Sequence, residues 1–158
     1  MRVALFAMVL LCPVLATAQD KDKKDEKPDA ITYKLDYLDK TFGLKLKSTS
    51  TMPHEQETGL LLVKMTMEFS KDIDNLDELK KTLAPAPKAA SLPKGGLPPG
   101  SLQYHYFDGD NVLLGKSPIT RIDGELSGQQ GDAIRIAIEL PKNVYPKIRK
   151  IEPRPYKP

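Results

Sequence analysis

Residues 59–69 read GLLLVKMTMEF, and their period settles the class of the chain. Leu61, Val63, Met65, Met67 and Phe69 recur at every second position, with Lys64, Thr66 and Glu68 between them. A period of two places the first set on one face of a strand and the second on the other, the mark of a half-buried β-strand. Residues 133–140, AIRIAIEL, repeat the design, with Ile134, Ile136, Ile138 and Leu140 on one face and Arg135 and Glu139 opposite. At strand spacing, Met65 and Met67 are core packing rather than a soft-metal pair.

The flanking segments carry the same period. Ile31, Tyr33, Leu35 and Tyr37 alternate with Thr32, Lys34 and Asp36, which predicts a strand. After a break at Phe42-Gly43, Leu44, Leu46 and Ser48 alternate with Lys45, Lys47 and Thr49. Further on, Leu102, Tyr104 and Tyr106 alternate with Gln103, His105 and Phe107, residues 108–111 form a turn, and Val112, Leu113 and Leu114 return. Pro118 has no N–H to give and marks an edge or a strand start. Another short strand runs over 119–126, and residues 127–132 turn into the Ile-rich strand.

Only residues 70–83 change period. Ile73, Leu76, Leu79 and Leu83 recur at three and four, with Asp72, Asp74, Asp77 and Glu78 ahead of Lys80 and Lys81, as the helix dipole prefers. This predicts one short helix over about 72–83, capped by Asp72 or Asp74. Residues 84–100, APAPKAASLPKGGLPPG, hold five prolines and three glycines and form an extended insertion. Its bland reading is a connector; as a partner-binding arm, its anchors are Leu92 and Leu97.

The expected fold is therefore mainly β: an antiparallel two-sheet sandwich over residues 31–142, with one short helix and a Pro-rich insertion. Its core is expected to contain Tyr33, Leu35, Leu46, Leu61, Val63, Met65, Met67, Phe69, Tyr104, Tyr106, Leu113, Ile122, Ile134, Ile136 and Ile138.

The ends of the chain are different. Met1–Ala18 has a positive start at Arg2, an apolar run from Val3 to Leu15, and the small-x-small site Ala16-Thr17-Ala18. These are the parts of a secretory signal peptide, and the run is shorter than the roughly 20 residues of a spanning helix. Cleavage after Ala18 removes Cys12, the only cysteine, so the exported chain has no thiol for a disulfide, a zinc-thiolate site or a nucleophile. The absence of disulfides fits a bacterial exported protein, periplasmic or extracellular, with no transmembrane segment left after cleavage. Residues 19–30 form a charged leader, in which QDKDKKDEKPD (19–29) has no apolar residue to repay the entropy of ordering. Residues 143–158 form a basic, proline-rich tail. It places Arg149, Lys150 and Arg154 as candidate contacts for an anionic surface, the bland reading being a solvated extended end packed in part as a last strand through Val144, Ile148 and Ile151.

Composition excludes several classes of function. Twenty-four basic residues interleaved with 21 acidic ones give a formal charge of +3, which is no nucleic-acid footprint. Asp108, Asp110 and Asn111 fail the calcium-loop pattern, because Val112, Leu113 and Ile119 stand where oxygen, glycine and carboxylate are required. His54 and His105 show no metal-ligand spacing, there is no G-x-S-x-G elbow, and the paired carboxylates lie in polar segments. No catalytic residue, metal ligand or cofactor site is predicted.

The run Leu102-Gln103-Tyr104-His105-Tyr106-Phe107-Asp108, a turn, then Val112-Leu113-Leu114-Gly115 resembles the FxLYD group of exported bacterial domains and, more loosely, immunoglobulin-like and fibronectin type III-like sandwiches. Their shared feature is a strand closing in Tyr/Phe-Asp, a short turn, then an apolar pair and Gly. The likeness covers about half of the chain after the signal peptide, and the helix and the proline-rich insertion depart from it. It implies a two-sheet fold whose relatives mostly bind or space rather than catalyse.

The expected function is a non-enzymatic exported binding or structural module of the bacterial cell envelope, meeting another envelope protein or an anionic envelope surface. The alternative is a small-ligand or carbohydrate carrier that uses Tyr104, His105 and Tyr106 as a strip. A carrier requires those tyrosines to face outward beside a concavity; a structural module buries them.

Overall fold

A computed structural model describes residues 30–86 and 97–157. The chain is mainly β. Its elements are β1 (Thr32–Tyr33), α1 (Asp36–Phe42), β2 (Leu44–Pro53), β3 (Leu60–Phe69), α2 (Leu76–Thr82), β4 (Leu102–Phe107), β5 (Leu113–Asp123), β6 (Ala133–Pro141), a 3-10 turn (Tyr145–Lys147) and β7 (Lys150–Pro155). The signal peptide, most of the leader, and residues 87–96 of the insertion with Leu92 lie outside the described residues.

The seven strands form one sheet in the order β1-β7-β4-β5-β6-β3-β2. All pairs are antiparallel except β1 with β7, which is parallel. Two separate antiparallel sheets are thus replaced by one mixed, curled sheet, and β5 is the reason. It pairs with β4 from Leu113 to Pro118 and with β6 from Ile119 to Asp123, with an irregularity between Ile119 and Arg121. Pro118, expected at an edge or a strand start, sits at this handover, where the lack of an N–H is tolerated. The strand turns the corner, so the β1-β7-β4 half and the β6-β3-β2 half curl around a common core.

That core is the one the alternation predicts. Val63, Met65, Met67 and Phe69 of β3 and Ile134, Ile136, Ile138 and Leu140 of β6 are buried. The two strands run in register, with Met65 opposite Ile136. Tyr104 and Tyr106 are buried as expected, whereas Leu113, at 44% exposed, is not a core residue, because it opens β5 at the hairpin turn. Tyr33, Leu46 and Ile122 are partly buried and pack against the core, whereas Leu61 is only partly buried and is not a core residue.

Three local readings change. The alternation from Ile31 yields only the two-residue β1, and Asp36–Phe42 forms α1. Leu35, Leu38 and Phe42 are buried, spacings of three and four that suit a helix face, and tertiary packing overrides the period-two reading. Gly43 ends α1 in the left-handed region at φ 62°, with its N–H donating to the Asp39 carbonyl at 2.8 Å. The predicted helix over 72–83 is α2, shorter at Leu76–Thr82. Its cap is Asn75, not Asp72 or Asp74: Asn75 Oδ1 accepts from Glu78 N–H at 3.0 Å, while Asn75 Nδ2 donates to Glu78 Oε2 at 3.1 Å. Asp72 accepts from the main-chain N–H of Gln130 at 2.8 Å and ties down the 127–132 turn instead.

At the C-terminus the packed last strand is present as β7. Residues 150–155 are a strand flanked by β1 and β4, and Ile148 and Ile151 are fully in the core. Pro153 and Pro155 are accommodated by geometry. The Ile151 carbonyl accepts from Lys34 N–H on the β1 side, so the main-chain groups of alternate residues, Pro153 and Pro155, face that same side, where β1 has already ended. The missing N–H groups leave no gap in the ladder.

Candidate functional site

Pairing of β7 with β4 brings together three pairs of residues that stand far apart in the sequence. Phe107 faces Lys150, His105 faces Glu152, and Gln103 faces Arg154. On the other side of β4, His105 faces Lys116 of β5. Because Tyr104, Tyr106 and Ile151 point into the core, this alternate set lies on the outer face of the sheet. The outer face of β4, β7 and the neighbouring strand ends is the candidate site.

Phe107 is its apolar centre. Its ring is nearly covered, with Lys150 Nζ 4.0 Å and Arg154 Cζ 5.7 Å from its centroid and the His105 ring 6.5 Å away at 42°. Both cations lay their apolar stems along the surface and hold their charges over the π-face. Lys150 Nζ is also hydrogen-bonded to Asn111 Oδ1, which anchors the β4–β5 turn to β7. Asn111 holds a left-handed φ of 63°, and Asp108 Oδ1 accepts from the Asp110 and Val112 N–H groups at 3.0 and 2.8 Å. The predicted turn is in place, and that Asp108 oxygen is taken up by main-chain donors.

The electrostatics are one-sided. Arg154 Nε donates to Glu152 Oε1 at 3.0 Å, and Lys150 Nζ lies 3.8 Å from the other oxygen. Burial works to raise the Glu152 pKa, but the hydrogen bond and charge of Arg154, then Lys150 and Lys34, hold it below the usual carboxylate value. Partial burial, helped by Lys116 and Arg154 and opposed by Glu152, pushes His105 down, so the imidazole is neutral near pH 7. Lys34, Lys150 and Arg154 therefore surround one carboxylate, and Lys116 lies beside His105.

Of the residues singled out in the sequence, His105, Lys150 and Arg154 converge here. Arg149 does not take part through free charge: its Nη1 donates to the carbonyls of Pro146 and Ile148 at 2.8 and 3.1 Å and holds the 3-10 turn. Tyr104 and Tyr106 are in the core, so the aromatic strip of the carrier reading is not presented to solvent. Leu97 is 8% exposed and faces its own protein rather than a partner. Phe107, Lys116, Glu152 and Lys34 were not among the candidates. The signal for them was the alternation Lys150-Ile151-Glu152-Pro153-Arg154, which the prolines disguise. His54 sits apart, on the β2–β3 loop, where Nδ1 accepts from Gln56 and Glu57 N–H and Nε2 lies 3.4 Å from Glu139.

No group of three or more histidine, cysteine or carboxylate side chains suited to hold a metal occurs among the described residues. No protein-family model, no curated protein and no solved structure matches this chain.

Proposed function

We propose that this protein is an exported, non-enzymatic binding module of the bacterial cell envelope that meets a phosphate-bearing anionic surface through the outer face of β4 and β7. The observation that carries the reading is the clustering of Lys34, Lys150 and Arg154 around Glu152, with Lys116 facing His105 and Phe107 beneath Lys150 and Arg154. Lys and Arg stems over an aromatic ring are held in place, so less rotamer entropy is lost when they engage an anion. Export is supported by the signal-like residues 1–18. Kinship with FxLYD-like and immunoglobulin-like sandwiches belongs to the same proposal. It is supported by β4 ending at Phe107 before Asp108 and by Leu113-Leu114-Gly115 opening β5 after the turn.

The test is co-sedimentation of the chain without residues 1–18 with phosphatidylglycerol vesicles, with inorganic polyphosphate as competitor. Binding that weakens as salt is raised and is lost in Lys150→Ala/Arg154→Ala supports the reading. Equal recovery on phosphatidylcholine and phosphatidylglycerol, or an unaffected double variant, overturns it. N-terminal sequencing of exported material checks the compartment; an intact Met1 would refute cleavage.

A further inference from the structure

The two edge strands of the curled sheet, β1 and β2, are neighbours in the chain. They are joined by α1, which packs against β2 and β7. Between their outer ends the sheet stays open as a cleft of about 290 Å³, on the opposite face from the basic cluster. Tyr33, Thr49, Thr51 and Tyr145 line it with hydroxyls, Ile31 and Ile148 with apolar surface, and among the described residues no charged side chain lines it.

Two hydroxyl pairs cross the seam. Thr51 Oγ1 and Tyr145 Oη are 3.0 Å apart, and the Thr49 hydroxyl acts on the Tyr33 phenol. The threonines reach this side only because β2 carries a bulge. Leu46 faces Met67 and Ser48 faces Thr66, so Lys47 is extra and the side-chain parity reverses after it. Without the bulge, Ser48, Ser50 and Met52 would continue the inward face begun by Leu44 and Leu46. With it, Thr49 lies opposite Met65 and Thr51 opposite Val63, on the core side. Bulges that re-aim side chains concentrate beside functional sites, and the mouth of a curled or closed β-structure is a usual place for a ligand.

We propose that this seam cleft binds a neutral, hydroxyl-rich ligand of the size of one sugar ring. The volume is at the lower end of small-molecule sites. Hydroxyls are both donors and acceptors, so the two Tyr–Thr pairs can exchange each other for ligand hydroxyls without stranding a buried group. Tyrosine rings add rigid apolar faces for the C–H side of a pyranose. Burial and the nearby Tyr145 raise the Tyr33 pKa, so its phenol remains a donor in ordinary conditions.

The experiment titrates the chain with methyl β-D-glucopyranoside and methyl β-N-acetylglucosaminide, following amide chemical shifts, with glucuronic acid as a charged control. Saturable shifts at Tyr33, Thr49, Thr51 and Tyr145, unchanged by salt, are expected. Thr49→Val/Thr51→Val keeps β-branched shape at exposed positions and should weaken binding about tenfold, the loss of two hydroxyl partners. Lys150→Ala/Arg154→Ala should leave it unchanged, which separates this site from the basic face. Unsaturable shifts for both neutral sugars overturn the proposal. So does binding that survives the threonine double variant, or shifts confined to β4 and β7. A melting temperature of the threonine variant equal to the parent's shows that any lost binding is not lost folding.

Discussion

Tyr106 and Gly115 face each other across the β4–β5 ladder, and the tyrosine ring occupies the space where a side chain on Gly115 would stand. A Cβ at position 115 would lie 2.6 and 2.8 Å from Tyr106 Cζ and Cε2. The glycine after the apolar pair thus has a packing reason: it makes room for the ring that precedes the turn. Gly115→Ala should cost about 1–3 kcal/mol, the usual effect of overpacking a filled site. The penalty should shrink when Tyr106 is Leu, because the two residues share one volume and their effects are not additive. Thermal melts of the two single variants and the double variant check this; a Gly115→Ala protein that melts with the parent removes the explanation.

The hydroxyl of Tyr104 is fully buried and has no hydrogen-bond partner among the described residues. Burial alone pushes its pKa far above the ordinary phenol value. An unpaired buried hydroxyl carries a desolvation penalty of about 1–3 kcal/mol. Tyr104→Phe removes the oxygen and keeps the ring, so it should stabilise the fold by up to that amount, about 2–4 °C in Tm per kcal/mol. A lower Tm would show that the oxygen does have a partner.

These two tyrosines also show which parts of the fold were legible. Their strand, like β3 and β6, has five or more side chains in strict alternation, and burial on one face is enough to impose that pattern. The short elements escaped. Leu35 belongs at once to the alternation begun at Ile31 and to the helix face shared with Leu38 and Phe42, so local sequence supports both readings. The bulge at Lys47 has no mark in its own residues; it appears only in the pairing of β2 with β3. The outer face was half legible. Lys150 and Arg154 stand out as charges and His105 as a half-exposed ring, but their meeting depends on the β4–β7 register, in which residues more than forty positions apart become neighbours.

Met65 and Ile136 lie directly opposite each other at the centre of the sheet, both with no exposed surface. Met65→Ala or Ile136→Ala should each cost about 2–5 kcal/mol, from lost burial and the cavity left behind. The double variant should cost less than the sum if the two cavities merge and the neighbours relax into them. Denaturant titrations check both statements. Single variants as stable as the parent would show that β3 and β6 are not paired in this register.

His105 makes the outer face sensitive to pH, with opposite signs for stability and for binding. Its folded pKa is below the ordinary value of about 6.5, so between the two values the unfolded chain binds the proton more readily than the folded one. The stability associated with neutral His105 is therefore complete above about pH 6.5 and is lost as the pH falls through the lower folded value. The facing groups are the cations Lys34, Lys116, Lys150 and Arg154 and the carboxylate Glu152, whose pKa is held below its ordinary value. An anion on this face favours the protonated ring, so by linkage its affinity should rise over the same fall in pH. Polyphosphate binding measured at about pH 5.5 and about pH 7.5 should be tighter at the lower value. His105→Gln should flatten the difference while keeping most of the affinity supplied by Lys150 and Arg154. Equal affinity at both pH values in the parent, or an unchanged difference in His105→Gln, would separate His105 from the binding face.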